Sequence, residues 1–301
     1  LPVLVLDSFG FSVDSVSDPG QARPYRISYA VLLDRDPTLA APNTNRALLN
    51  GKVDFQGRCG THVRGESSSG FAQRSYAWEL WEEENEDQAA PLLGMPEEAD
   101  WVLHGPYTDK TLMRDYIVYD SMRELGGNGS AMRTRFVEVF FNQNGGNSIS
   151  YADYRGVYVL VEKIKGDNER VDVVELNELS TMPSQVSGGY IFKHDKPSVG
   201  NSSFTTSRGL GIQGGDPEVW NSPQQSYLHN YLNQFESALY GANFENPTTG
   251  YEAYIDVDSF IDNQWWIEIT KQIDGYRISA YYSKDRNGKV RALPVWDYNL
   301  S

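Results

Sequence analysis

Three short runs rich in β-branched and aromatic residues, over 134–142, 154–165 and 188–193, follow one another with only turns and loops between them. Such runs read as strands, and nothing of helical period separates them. Their succession rules out an alternating βαβ chain and points to strands that pair with near neighbours. In 154–165, Val157, Val159 and Val161 fall on one face, and Tyr158, Leu160 and Glu162 on the other. Upstream, 3–6 and 29–33 read as strands. Two more, 61–64 and 75–81, flank the Gly/Ser loop Gly65 to Gly70. Residues 82–87 are acidic and read as a solvated loop.

Helical periodicity enters later. The spacing predicts a helix over 108–125, capped by Thr108 or Asp109, with Val118, Met122 and Leu125 on one face and Gly126-Gly127 at its end. A second is predicted from Ser222, with Pro223 at the first position and Leu228, Tyr231, Leu232, Phe235 and Leu239 as the apolar stripe. A third runs over about 258–271, with Ile261, Trp265 and Glu268 on one inward face. An inward Glu268 would need a partner, a buried Arg or an active site. Residues 196–215 are rich in Ser, Thr, Asn and Gly and read as irregular or mobile. Strands over 278–284 and 289–296 flank Asn287-Gly288, a strong hairpin turn. The fold class is therefore α+β: a strand-rich N-terminal part over 1–195, and a helical C-terminal part over 196–301 closed by a β-hairpin.

Charge narrows the function. The 301 residues carry 41 Asp and Glu against 26 Lys and Arg, a net charge of −15. A polyanion is a poor general binder of nucleic acid or anionic membrane. The lone Cys59 excludes an internal disulfide and reads as a small apolar filler, and the four histidines lack metal-ligand spacing. No apolar run approaches the roughly 20 residues of a membrane span. Leu1 in place of Met, and the stop just after an informative motif, suggest a processed or trimmed chain that continues past Ser301.

The most specific constellation is C-terminal. Asp274 follows the third helix in Ile273-Asp274-Gly275-Tyr276, and Asp297 follows the hairpin in Pro294-Val295-Trp296-Asp297-Tyr298-Asn299. A hairpin can bring its two ends side by side, and two carboxylates there could hold Mg²⁺ or Mn²⁺ against a nucleotide's phosphates. The same residues also suit plain turns: Asp274 with Gly275, and Asp297 as an Asx-turn or helix cap. Arg64 and Arg74 have the planar donors that clamp phosphate oxygens. Arg64 could equally satisfy carbonyls of the Gly65–Gly70 loop, and that loop could cover phosphates or be only a turn. Lys163 and Lys193 lie in strand-like segments from which a lysine reaches phosphates or solvent. Trp265, Trp266 and Trp296 read as core or pocket wall.

In this order and spacing, a set of segments resembles the CotH (spore-coat protein H) kinase family from about position 55 to the end. They are Arg64-Gly65-Glu66-Ser67-Ser68, Gln73-Arg74-Ser75-Tyr76, Tyr154-Arg155-Gly156-Val157-Tyr158-Val159-Leu160-Val161-Glu162-Lys163-Ile164, Gly188-Gly189-Tyr190-Ile191-Phe192-Lys193 and Pro294-Val295-Trp296-Asp297. The resemblance implies an atypical protein-kinase-like fold, ATP with a divalent metal, a protein substrate phosphorylated on Ser, and a secreted, spore-surface or cell-surface setting. It implies Asp274 as the catalytic-loop aspartate, Asp297 as the metal-binding one, and Glu162 as an acidic residue lining the nucleotide site. Two positions differ from the pattern. Gln73, with Arg74 beside it, stands where the family often has Lys. Ser279 stands where ordinary kinases carry a metal-binding Asn, and a hydroxyl is a weaker Mg²⁺ ligand. Both differences favour the alternative function, a non-catalytic surface or assembly module on a kinase-like scaffold.

Overall fold

The computed structural model describes residues 1–14, 24–38, 47–127 and 129–301. They form two compact units, Leu1–Tyr116 with Arg133–Lys163, and Ile117–Met132 with Ile164–Ser301. Among the described residues no helix is long and apolar enough to cross a membrane.

The first unit is a closed barrel of seven strands: β1 (Val3–Asp7), β2 (Arg26–Arg35), β3 (Ala47–Arg64), β4 (Ser75–Trp81), β5 (Asp100–His104), β6 (Thr134–Asn142) and β7 (Tyr154–Glu162), in the order β1-β2-β3-β4-β5-β7-β6. Every neighbouring pair is antiparallel except β1 with β6, whose parallel pairing (Leu4 opposite Val139, Leu6 opposite Phe141) closes the circle. Closure leaves no unpaired edge. Alternation along each strand sends Leu4, Leu6, Leu32, Cys59, Tyr76, Trp78, Leu80, Trp101, Leu103, Val137, Val139, Phe141, Tyr158 and Leu160 into one buried cluster. Cys59 is wholly buried, and burial pushes its thiol up to about 12, so it is the apolar filler expected.

The second unit is built on a five-stranded antiparallel sheet of β8 (Tyr190–His194), β9 (Ser203–Thr205), β10 (Gly211–Asp216), β11 (Ala280–Lys284) and β12 (Val290–Arg291), in the order β12-β11-β8-β10-β9. Three helices accompany the strands along the chain: α1 (Arg114–Gly126), α2 (Ser222–Leu239) and α3 (Val257–Thr270). Leu228 and Leu232 of α2 join Tyr190, Phe192, Ile212 and Trp220 in the core of this unit, with Val257 and Phe260 of α3 packed against it. The α+β order is as the sequence predicts, strands first and helices later.

Several local expectations are corrected. Helix α1 starts at Arg114, not 108, because the Asp109 carboxylate is engaged first. It accepts from Thr111 N–H at 2.9 Å, Thr111 Oγ1 at 2.6 Å and Arg114 N–H at 2.9 Å. Val118 and Met122 of α1 are buried but Leu125 is exposed. Asn221, not Ser222, caps α2, in a reciprocal capping box with Gln224. The segment 196–215 carries β9 and part of β10 instead of being irregular. Its polar side chains organise the backbone: Gln213 accepts from Ser198 N–H and donates to the carbonyls of Asp195 and Lys196. The face of α3 expected to point inward is the outer one. Ile261 and Trp265 are exposed, and so is Glu268, which accepts from the Tyr276 hydroxyl at the surface. The hairpin strands are shorter than expected, and 292–296 runs on without a ladder partner.

Candidate functional site

The site is built where α3 ends and the hairpin returns. Lys271 takes a left-handed conformation (φ 58°) and its N–H returns to the Ile267 carbonyl, which turns the chain back sharply. The reversal buries the next side chain, Gln272. The backbone then makes a turn in which the Asp274 carbonyl accepts from the N–H groups of Arg277, at 2.7 Å, and Ile278, at 3.0 Å. The turn reading of Asp274 is thus correct for its backbone, and it leaves the half-buried carboxylate to other uses.

Asp297 is held from several directions. Its own φ is 64°, and its N–H donates to the Tyr119 hydroxyl at 2.9 Å. One residue earlier, Trp296 stacks on the Tyr119 ring with centroids 6.0 Å apart. Ser279 donates to carboxylate Oδ2 at 3.2 Å, and the Asn299 side-chain amide donates to Oδ1 at 2.7 Å. Gln272 links the two aspartates. Its Oε1 accepts from the Asp274 N–H at 3.2 Å while its Nε2 donates to the Asp297 carbonyl. One buried amide therefore touches the backbone of both residues.

Lys193 belongs to the same unit. It lies opposite Tyr281 in the β8–β11 pairing, with Nζ 5.9 Å from that ring and 3.3 Å from Ser198 Oγ. Tyr281 in turn meets Trp296 edge-on at 6.2 Å. The second unit thus brings together Asp274, Asp297, Ser279 and, through two rings, Lys193.

The remaining predicted residues lie in the first unit. Glu162 is fully buried and accepts from Arg133, from the backbone N–H at 2.7 Å and from the guanidinium at 3.0 and 3.4 Å. Lys163 sits 3.6 Å from Asp100. Arg74 donates Nε to the Ser69 carbonyl, in the 65–70 loop, at 3.0 Å and lies 3.4 Å from Asp14. Arg64 ends β3 opposite Ser75. Gln73 has a structural task. Its amide donates to the Val157 carbonyl at 2.8 Å, beside Gly156, whose φ is 106°.

Around Asp297 the oxygen groups that a divalent ion would meet are its carboxylate and the Ser279 hydroxyl; Asn299 meets the carboxylate through its amide nitrogen. Hard cations such as Mg²⁺ and Mn²⁺ take oxygen ligands. Among the described residues no group of three or more His, Cys, Asp or Glu could hold a metal. An ion held by Asp297 would have to take the rest of its shell from phosphates and water.

The model of the CotH kinase protein family matches residues 61–301, well over half of the sequence. The chain belongs to the CotH kinase family. The match begins within β3 and runs through both aspartates, so the resemblance read from the separate motifs holds over their whole span. A search of the curated proteins found no match. Membership in the CotH family carries the expectation of kinase chemistry with ATP.

Sequence reasoning missed Gln272, Tyr119 and Asn299. Gln272 carries no signal beyond sitting two residues before Asp274, and Tyr119 lies far away in sequence, on another helix.

Proposed function

We propose that this CotH-family protein transfers the γ-phosphate of ATP to a serine hydroxyl of a secreted or surface protein, with Mg²⁺ or Mn²⁺. The observation that carries the reading is the convergence on one buried amide, with Asp274 at one end and Asp297, bearing its Ser279 and Asn299 donors, at the other. Asp297 and Ser279 would hold the ion, which when bound neutralises charge on the phosphates. Asp274 orients the acceptor hydroxyl and takes its proton as the new O–P bond forms and the bond to the β-phosphate oxygen breaks, releasing ADP. Lys193 supplies positive charge in the same unit. Phosphate contacts by Arg64, Arg74 and Lys163, and a place for Glu162 at the nucleotide, are proposed from the family pattern alone. The field of a chain at −15 repels ATP, so cationic donors and the ion matter more here than in a basic kinase.

Two aspartate variants test this. Asp297→Asn should abolish the metal-dependent thermal shift with ATP. Asp274→Asn should keep that shift while lowering phosphate incorporation roughly 100-fold or more. If the unaltered protein shows no shift at millimolar ATP with either metal, the catalytic reading is wrong. A scaffold role, which Ser279 in place of Asn favours, then replaces it.

A further inference from the structure

A catalytic base and a metal ligand act together only when their separation is held to a fraction of an ångström. The two candidate aspartates lie on segments of different origin, the end of a helix and the end of a hairpin. Hydrogen bonds that tie the two segments to each other therefore decide the spacing. We propose that Gln272 is the positioning residue of this site, a buried amide strut that fixes Asp274 relative to Asp297. The inference rests on the kinase reading above and deepens it.

The strut is built from both ends. Gln272 is 5 % exposed, and its side chain spends its acceptor on the Asp274 N–H and its donor on the Asp297 carbonyl. The αL residue Lys271 and the bond from Gln272 N–H to the Ile267 carbonyl, at 3.0 Å, aim the side chain inward. Gly275 keeps the space open above it, because a Cβ there would come within 3.1 Å of Gln272 Cγ and 2.8 Å of Ile267. On the other side, Asp297 is pinned through its own N–H to Tyr119. With one aspartate pinned, the amide length sets where the other stands. Gln meets both groups with one amide, and Asn carries that amide on a side chain one methylene shorter. Gln272 touches neither substrate nor phosphate in this scheme; it acts through the aspartates.

Two replacements separate positioning from simple support. Gln272→Met keeps the volume and removes both hydrogen bonds. Gln272→Glu keeps the acceptor toward Asp274 but sets a carboxylate against the Asp297 carbonyl. A displacement of about 1 Å at reacting groups lowers turnover roughly 100-fold. Gln272→Met should therefore reduce kcat 10- to 100-fold while KM for ATP changes less than about threefold. Gln272→Glu should do the same, because it loses the donor to the Asp297 carbonyl and sets a charge against that oxygen. Loss of support alone would lower kcat only in proportion to the folded fraction, measured in parallel by circular dichroism. If both folded variants turn over at the unaltered rate, the strut is refuted and the kinase reading stands. If the unaltered protein transfers no phosphate, both fall. Should Gln272→Met fail to fold, Gln272→Glu carries the test, since it retains the shape and one hydrogen bond.

Discussion

Glu162 shows how a side chain picked out by pattern takes on physical meaning from its neighbours. Its carboxylate is wholly buried and bonded to Arg133, a residue that stands in no conspicuous motif. A buried carboxylate stripped of its charge takes an ionic partner from the facing guanidinium, and breaking a buried pair in this way costs about 3–5 kcal/mol. Glu162→Gln should therefore lower unfolding stability by roughly 3 kcal/mol in a urea titration. Unchanged stability with lost ATP binding would instead assign the carboxylate to the ligand. The two aspartates were legible because acidic residues just past a helix and just past a hairpin are chemically conspicuous. The groups that hold them were not, since Gln272, Tyr119 and Asn299 are ordinary polar residues until the fold brings them near. The same holds for Gln73, which departs from the family pattern yet has a plain task, bonding the β7 backbone at Val157.

At the scale of elements, the sequence was most informative where composition and burial agree. Strand β6 has the bounds read from its β-branched and aromatic run. It was least informative where side chains bond to backbone, as with Asp109 before α1 and Gln213 beneath 196–215. Helix α3 misled for another reason. It is apolar nearly all round, with Phe260, Ile261, Trp265, Trp266, Ile267 and Ile269, so periodicity does not choose the buried face. The pair Gly188-Gly189 before β8 shows what a glycine motif can mean at this scale. A Cβ on Gly188 would land on the backbone of Asp285, just past β11, and Gly189 has a φ of 97°. Gly188→Ala must push the start of β8 away from β11, and backbone atoms cannot yield as a side-chain tip does. Overpacking of this kind costs about 1–3 kcal/mol, sometimes more. We expect a loss of about 3 kcal/mol or greater by chemical denaturation, and a variant as stable as the original would refute the close approach.

Across the whole molecule, barrel closure was the least legible feature. Individual strands can be read from alternation, but the parallel pairing of β1 with β6 joins segments far apart in sequence and has no local signature. The pH dependence of stability is likewise a property of the whole. Lys284 is 1 % exposed, donates to the Ser187 carbonyl at 2.6 Å and lies 4.5 Å from the Tyr231 ring. Burial lowers its pKa from the ordinary 10.5 to about 8, against the opposing pull of Asp285. Between those two values the unfolded chain binds a proton that the folded one has released, so stability rises with pH across that window. Burial acts in the opposite sense on tyrosines. Tyr76 and Tyr158 in the barrel, and Tyr190, Tyr231 and Tyr298 in the second unit, all have hydroxyls raised above their ordinary 10. Above pH 10 the folded chain keeps protons that the unfolded one loses, so stability falls. Cys59 opposes the lysine: its buried thiol is held up at about 12, so the unfolded chain loses that proton first, from about pH 9. The lysine's slope is therefore visible as a difference between two proteins. From pH 7.5 to about 9.5 the unaltered protein should gain near 2 kcal/mol relative to Lys284→Met, and both should fall steeply above pH 10. A difference that stays flat between pH 8 and 9.5 would mean that this ammonium group stays solvated in the folded chain.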